Sequence, residues 1–260
     1  VIVLGFDTAT QATVVGLRLA DGRTLQARDD PPAREHPGHA TRLLDMAGEL
    51  LVQAEIGWRE LQRIAVGVGP GRFTGLRVGV ATARGLAQSL DVQLIGVSSL
   101  SALGLAAARV HPGRSILAII DARRQEVFAA GYPAGTDFFA SGEQRDGARR
   151  GGEIELRQAL DGERLRGVAA ELQSLAASPA QPWLAVGDGA LCFASELRQG
   201  GVDVVAERSP LHAIDAGAIC ELGARAGAAG ARDRVLPDYR RTPDAALARD
   251  RAPATEGAVS

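Results

Sequence analysis

Cysteine is nearly missing from this 260-residue chain. Cys192 and Cys220 stand 28 residues apart, with no C-x-x-C and no histidine pair beside them, which excludes a disulfide framework and a zinc site of the usual spacing. Both are expected to be small buried apolar residues. An excess of either charge is missing too. Net charge is −2 and the pI is near 6.1, so nothing in the overall charge draws the protein onto nucleic acid unaided. No stretch reaches the roughly 18 consecutive apolar residues of a membrane span. The opening VIVLGFDTATQATVVGL has no basic leader and is interrupted by Asp7, so a soluble, cytoplasmic protein without membrane association is expected.

What is present reads as alternating strand and helix. VIVLGFDTA, TVVGLRLA and TLQARDD form an antiparallel meander, and HATRLLDMAGELLVQAEI carries Leu43, Leu44, Ala47, Leu50, Leu51 and Ala54 on a helical stripe. RIAVGVG is a short buried strand, GLRVGVATARGLAQSL a second helix, and DVQLIGVSSL a further strand. RSILAIIDARRQEVFAAGY then repeats the opening theme of an apolar strand ending in aspartate and a returning strand, the weak echo left by a duplicated fold. This predicts an α/β first lobe over 1–108, a reduced second lobe over 109–211, and a small-residue helix within 212–230 packing back on the first lobe. TDFFASGEQRDGARRGG at 136–152 reads as a loop, and 243–260 as a disordered tail.

The glycine-rich stretch GVGPGRFTGLRVG, residues 67–79, has the layout of a phosphate cradle, a strand emptying into a turn and then a helix. It lacks the lysine of a Walker A loop, and Thr74 stands where a dinucleotide fingerprint needs its third glycine. Glycines that serve tight turns and close helix packing are the competing explanation. Gly71, Gly75, Gly79, Ala83 and Ala87 recur every four residues, so one edge of the second helix is paved with small side chains on which another backbone can rest. That backbone is either a partner's or the protein's own.

Asp7, at the end of the first strand, suits either a metal-water or phosphate contact or a hairpin cap. His36 and His39 are separated by Pro37 and Gly38 and find no third ligand nearby. Ser98 and Ser99 lie outside any G-x-S-x-G elbow, and the four histidines (36, 39, 111 and 212) give a Ser-His-Asp triad little support.

Taken together, DTAT, HATRLLDMAGELL, GVGPGRFTGLRVGVATARGLA, IDARRQEVFAAGY, VGDGA and PDYRR closely resemble the TsaB (YeaZ) family over about residues 3–240. The resemblance implies an actin-like (ASKHA, Hsp70-like) two-lobe fold, each lobe a mixed sheet with flanking helices. It also implies a non-catalytic role in forming N6-threonylcarbamoyladenosine beside the tRNA anticodon. The implied partners are a TsaD-type transferase, of which such proteins are degenerate paralogues, a TsaE-type ATPase, and tRNA reached through the complex. A homodimer is implied when the transferase is absent. Where TsaD-like enzymes place two histidines at i and i+4, this chain has His39 and Leu43, so no metal is expected. The second-lobe hairpin has Arg123 and Arg124 in place of a glycine run, and Arg72 takes a slot that commonly holds serine. VGDGA at 186–190 is either a remnant of the adenosine-side turn or a plain turn.

No cofactor is expected in the isolated chain, with ATP or ADP placed, if anywhere, at a partner interface; Asp7 and Gly71 are the candidate cofactor-binding residues. Leu43, Leu44, Ala47 and Leu51 of the first helix and Gly75, Gly79, Ala83 and Leu86 of the second are the implied partner-binding residues, since the family pairs through these two helices. The rival from another class is an ATP-dependent small-molecule kinase of the same fold. A glycoprotease is a third option and has no nucleophile here.

Overall fold

The computed structural model describes residues 1–32, 38–139, 154–174, 181–227 and 234–240; His36, residues 140–152 of the glycine-rich loop and the 243–260 tail lie outside them. The alternating opening builds β1 (Val3–Asp7) and β2 (Thr13–Arg18) as an antiparallel pair, and β3 (Thr24–Asp29) adds to β2 as the half-exposed edge. The chain continues through α1 (His39–Gln53), β4 (Arg63–Gly69), α2 (Phe73–Leu90) and β5 (Gln93–Ser98). Both later strands join parallel to β1, giving the order β3-β2-β1-β4-β5.

After α3 (Ser99–Val110) the same programme runs again. β6 (Ile116–Arg123), β7 (Glu126–Tyr132) and β8 (Ile154–Asp161) form an antiparallel meander. α4 (Gly162–Ser174), β9 (Leu184–Val186), α5 (Asp188–Cys192), α6 (Ala194–Gln199) and β10 (Asp203–Val204) follow, and the sheet order β10-β9-β6-β7-β8 repeats that of the first sheet. The hairpin echo in the sequence therefore extends to a whole sheet. α7 (Ala216–Arg225) closes the second half as α3 closes the first.

Three apolar clusters hold this arrangement. One lies between α1, α2 and the first sheet, and one beneath α4 to α6 on the second. The third gathers residues of α3, α7 and both sheets, so α3, which runs across the expected boundary at 108, is shared between the halves. Leu100, Ala102, Leu103, Leu105 and Ala107 are buried there, and a Cβ on Gly104 would lie 2.6 Å from the Tyr132 ring. α7 crosses back onto the first sheet because two strands omit their side chains. Gly5 and Gly16 face each other in register, and a Cβ on either would lie within 3.0 Å of Cys220 Sγ. Burial pushes the Cys220 thiol up to about 12, so it is an inert packing residue. Cys192, by contrast, is exposed, against the expectation of burial. Arg63 caps the end of α7, its Nη1 donating to the carbonyls of Gly223, Ala224 and Ala226 at 2.9–3.0 Å.

The face of α1 differs from the sequence stripe at one position. His39, Leu43, Met46, Ala47, Leu50 and Leu51 are buried, whereas Leu44 is 43% exposed. An apolar stripe about 100° wide admits Leu43 and Ala47 together with Met46, and the 100° step from Leu43 carries Leu44 off its edge.

Candidate functional site

β1 ends in Asp7, and the turn after it plugs into the glycine-rich stretch between β4 and α2. A Cβ on Gly67 would lie 1.8 Å from Asp7 Oδ2, on Gly71 2.4 Å from the Ala9 carbonyl, on Gly75 2.0 Å from the Thr8 carbonyl, and on Gly79 2.3 Å from Thr8 Oγ1. These glycines are a socket for the segment 7–9. Its polar groups are engaged there: Thr8 Oγ1 donates to the Gly75 carbonyl at 2.8 Å, and the Arg72 amide donates to the Ala9 carbonyl at 2.7 Å. Asp7 accepts from the Ala9 amide at 2.6 Å and from Ser99 Oγ at 2.5 Å, which makes it a buried Asx-type cap.

The groups of Asp7 and Gly71 expected to meet a cofactor hold the protein's own turn in this structure. The assignment of Gly75, Gly79 and Ala83 to a partner falls for the same reason. All three are buried, the glycines against Thr8 and Ala83 in the core beneath α1. Leu43, Ala47 and Leu51 are likewise at most 2% exposed and unavailable to a partner.

Burial outweighs both hydrogen bonds at Asp7 and pushes its carboxyl from 3.8 up to about 6. The folded chain binds this proton more tightly than the unfolded chain. Stability attributable to Asp7 therefore rises as pH falls from about 6 toward 3.8 and is lost as pH rises through 6. At pH 7 the ionised carboxyl costs about 2–3 kcal/mol. We expect Asp7→Asn to melt at or above wild type at pH 7, with the advantage shrinking toward pH 4. A variant equally destabilised at every pH would refute the dominance of burial.

His39 serves the same joint. Its Nδ1 lies 2.8 Å from Thr13 Oγ1, and burial, with the Arg72 charge second, holds the ring below the usual histidine range. Leu43, one turn on, is in the core. Among the described residues no group of three or more His, Cys, Asp or Glu is placed to hold a metal ion.

Across from this socket stands the β6–β7 hairpin. Arg123, Arg124 and Gln125 adopt φ values of +66°, +55° and +61°, a left-handed run without glycine. Asp121 anchors it, accepting from the Arg123 amide at 2.7 Å, while the Asp121 amide donates to Asp188 Oδ1 at 2.9 Å. Burial, with the Asp121 charge adding to it, pushes Asp188 up to about 6. Arg72 hydrogen-bonds Gln11. Burial, then the charge of Arg123, lowers the Arg72 guanidinium, while Asp121 and Asp188 oppose that shift. Charges from both halves thus act on one another here. The glycines of VGDGA close on β6: a Cβ on Gly187 would lie 2.0 Å from the Ile119 carbonyl and one on Gly189 2.7 Å from Ile119 Cγ2. His212 holds the same turn through its Nδ1, 2.9 Å from the Gly187 carbonyl.

The outward face of the two helices is of another kind. On α1, Leu44 and Val52 are 43% and 78% exposed, with Gly48 between them at the i+4 spacing. On α2, Ala81 and Gly85 are exposed, and Val78, Thr82 and Leu86 are half-buried. A Cβ on Gly48 or Gly85 would meet nothing within 4 Å. A glycine inside a helix costs about 0.8–1.0 kcal/mol relative to alanine, and among the described residues no close approach offsets it at these two positions. Of the expected partner set Leu44 faces outward, and Leu86, half-buried, packs at the edge of the core. Gly48, Val52 and Gly85 were absent from it, although a mid-helix glycine flanked by apolar residues at i±4 was legible in the sequence.

A family model described as TsaD, tRNA N6-adenosine threonylcarbamoyltransferase, matches residues 31–252. The Escherichia coli tRNA threonylcarbamoyladenosine biosynthesis protein TsaB is 36% identical over 144 residues, which is 55% of this chain and 60% of that protein. The chain spans about one to two thirds of the length of the first curated relatives it matches. The structure of YeaZ from Pseudomonas aeruginosa superposes with a TM-score of 0.64 at 27% identity, covering 91% of this chain and 100% of that one. A ROK hexokinase from Thermus thermophilus, 14% identical with a TM-score of 0.50 over 86% of this chain and 99% of that one, shares the fold alone. The repeated sheets with crossing helices are a two-lobe actin-like fold, and the chain belongs to the TsaB (YeaZ) family within the wider TsaD group.

Proposed function

We propose that the chain is a non-catalytic partner subunit in the formation of N6-threonylcarbamoyladenosine next to the anticodon of tRNA, one that binds and activates a TsaD-type transferase. The pathway comes from the names of its relatives. The observation that carries the partner role is the α1–α2 face, whose two helical glycines, Gly48 and Gly85, have no close neighbour among the described residues. Leu44, Gly48 and Val52 on α1 and Ala81, Gly85 and Leu86 on α2 are the contact residues. The same face supports a homodimer when the transferase is absent. A TsaE-type ATPase is the further component, and tRNA is reached through the assembly. An adenine nucleotide belongs at the partner interface, since the chain's own glycine socket is filled by segment 7–9.

Kinase chemistry is not favoured, because the hexokinase likeness carries only the fold and Asp7 is buried and internally bonded. The test is reconstitution of the full chain with the TsaD-type and TsaE-type proteins of the same cell and unmodified tRNA. Modification is expected to fall to background when the chain is left out, while the chain alone turns over ATP far below about 1 per second. Undiminished modification without it would overturn the partner role, and sugar-dependent ATP turnover by the chain alone would favour the kinase.

A further inference from the structure

Residues 235–240, VLPDYR, touch both halves of the molecule. Toward the first sheet, the Arg84 Nε of α2 donates to the Val235 carbonyl at 3.1 Å, and Val235 Cγ1 would lie 3.3 Å from a Cβ on Gly96 of β5. The Asp238 amide donates to the Val68 carbonyl of β4 at 2.7 Å. Tyr239 packs on Phe73 with ring centroids 4.9 Å apart and accepts from Arg77 Nε at 3.1 Å, while the Arg77 guanidinium sits 3.9 Å over the Phe73 ring. Toward the second sheet, Arg240 donates from Nη1 to the Leu156 carbonyl of β8 at 3.2 Å. Its side chain is only 7% exposed and is held from Asp238 by an ion pair of 2.8 Å.

The geometry points to an interlobe strap: residues 235–239 are fastened to α2, β4 and β5, and Arg240 carries that anchorage to the edge strand of the second sheet, limiting how far the lobes open. A guanidinium suits this place because its planar fork serves the Asp238 carboxylate and the Leu156 carbonyl at once, which an ammonium on a flexible stem does less well. Asp238 fixes the fork's direction, so the reach of Arg240 depends on the docking of the residues before it. The strap also meets the first turn of α2, so lobe opening and the placement of Phe73 beside the glycine socket are mechanically coupled.

The test uses the exposed Cys192 of the second half as one labelling site, since Cys220 is buried. Glu49→Cys on the exposed side of α1 supplies the other. Distances between spin labels at 49 and 192 are measured in the full chain by double electron–electron resonance. One narrow distribution is expected with Arg240 present, and Arg240→Ala is expected to shift part of the population to longer distances, with Arg240→Lys intermediate. An unchanged distribution in Arg240→Ala would overturn the strap. If Arg240→Ala does not fold, Tyr239→Ala, which loosens the strap at α2 alone, takes its place with the same two outcomes.

Discussion

Gly79→Leu is expected to unfold the protein rather than merely detach a partner. Position 79 faces Thr8, and even a Cβ there would sit 2.3 Å from the hydroxyl oxygen that Thr8 uses to hold the Gly75 carbonyl. A leucine must push β1 and α2 apart or expel Thr8 from its socket. Overpacking of this kind costs about 1–3 kcal/mol, and stranding the buried Gly75 carbonyl adds a penalty of similar size. We expect a loss of about 3 kcal/mol or more, lowering the melting temperature by roughly 6–12 °C in a chain of this size. Gly75→Ala, whose Cβ would stand 2.0 Å from a backbone oxygen that cannot rotate away, is expected to be comparably damaging despite adding a single carbon. Thermal melting followed by circular dichroism decides the matter. A Gly79→Leu protein that melts like wild type would mean that β1 and α2 are not in contact as described.

Gly85→Leu is expected to do the reverse. The position lies six residues beyond Gly79 on the outward side, and among the described residues nothing comes within 4 Å of a Cβ built there. Replacing a helical glycine with leucine gains up to about 0.8 kcal/mol of helix propensity, so the variant is expected to melt at or slightly above wild type. Its effect falls on association. If a TsaD-type transferase lays a helix over Ala81 and Gly85, a leucine side chain at the closest approach separates the two backbones. An overpacking cost of about 1–3 kcal/mol then weakens binding by roughly tenfold to a hundredfold. Titration calorimetry against the purified transferase measures it, with Leu44→Asp as a companion that removes an exposed apolar contact without adding bulk. Unchanged affinity in both variants would move the partner to another surface. The pair of glycine substitutions is informative because they share chemistry and helix and differ only in what faces them.

Much of the first half was legible in the sequence. The β1–β2 hairpin follows from alternation around a polar turn, α1 from its buried stripe, and the strand–turn–helix around Gly69 (φ +102°) and Gly71 from the glycines that interrupt the apolar run. The echo between VIVLGFDTAT and ILAIIDARRQ was real because each half folds as a meander followed by two parallel strands. What the pattern could not orient was α2. Gly75, Gly79, Ala83 and Ala87 recur every four residues, and a ridge of small residues looks alike whether it awaits a partner or its own chain.

The order and kind of the elements from β1 to β5, and the places where side chains must be small, were legible in the sequence alone, because periodicity and glycine act over a few neighbouring residues, whereas β8 lies in a stretch whose pattern reads as partly helical. Only the tertiary structure decided what fills those places. Thr8 is 67 residues from Gly75 and Asp7 is 92 from Ser99, and their meeting depends on β4 joining β1 in parallel and on α3 leaving β5 just above the end of β1. Such contacts arise from how whole elements stack. The same stacking buried the ridge first read as an interface and left Gly48, Val52 and Gly85 facing out.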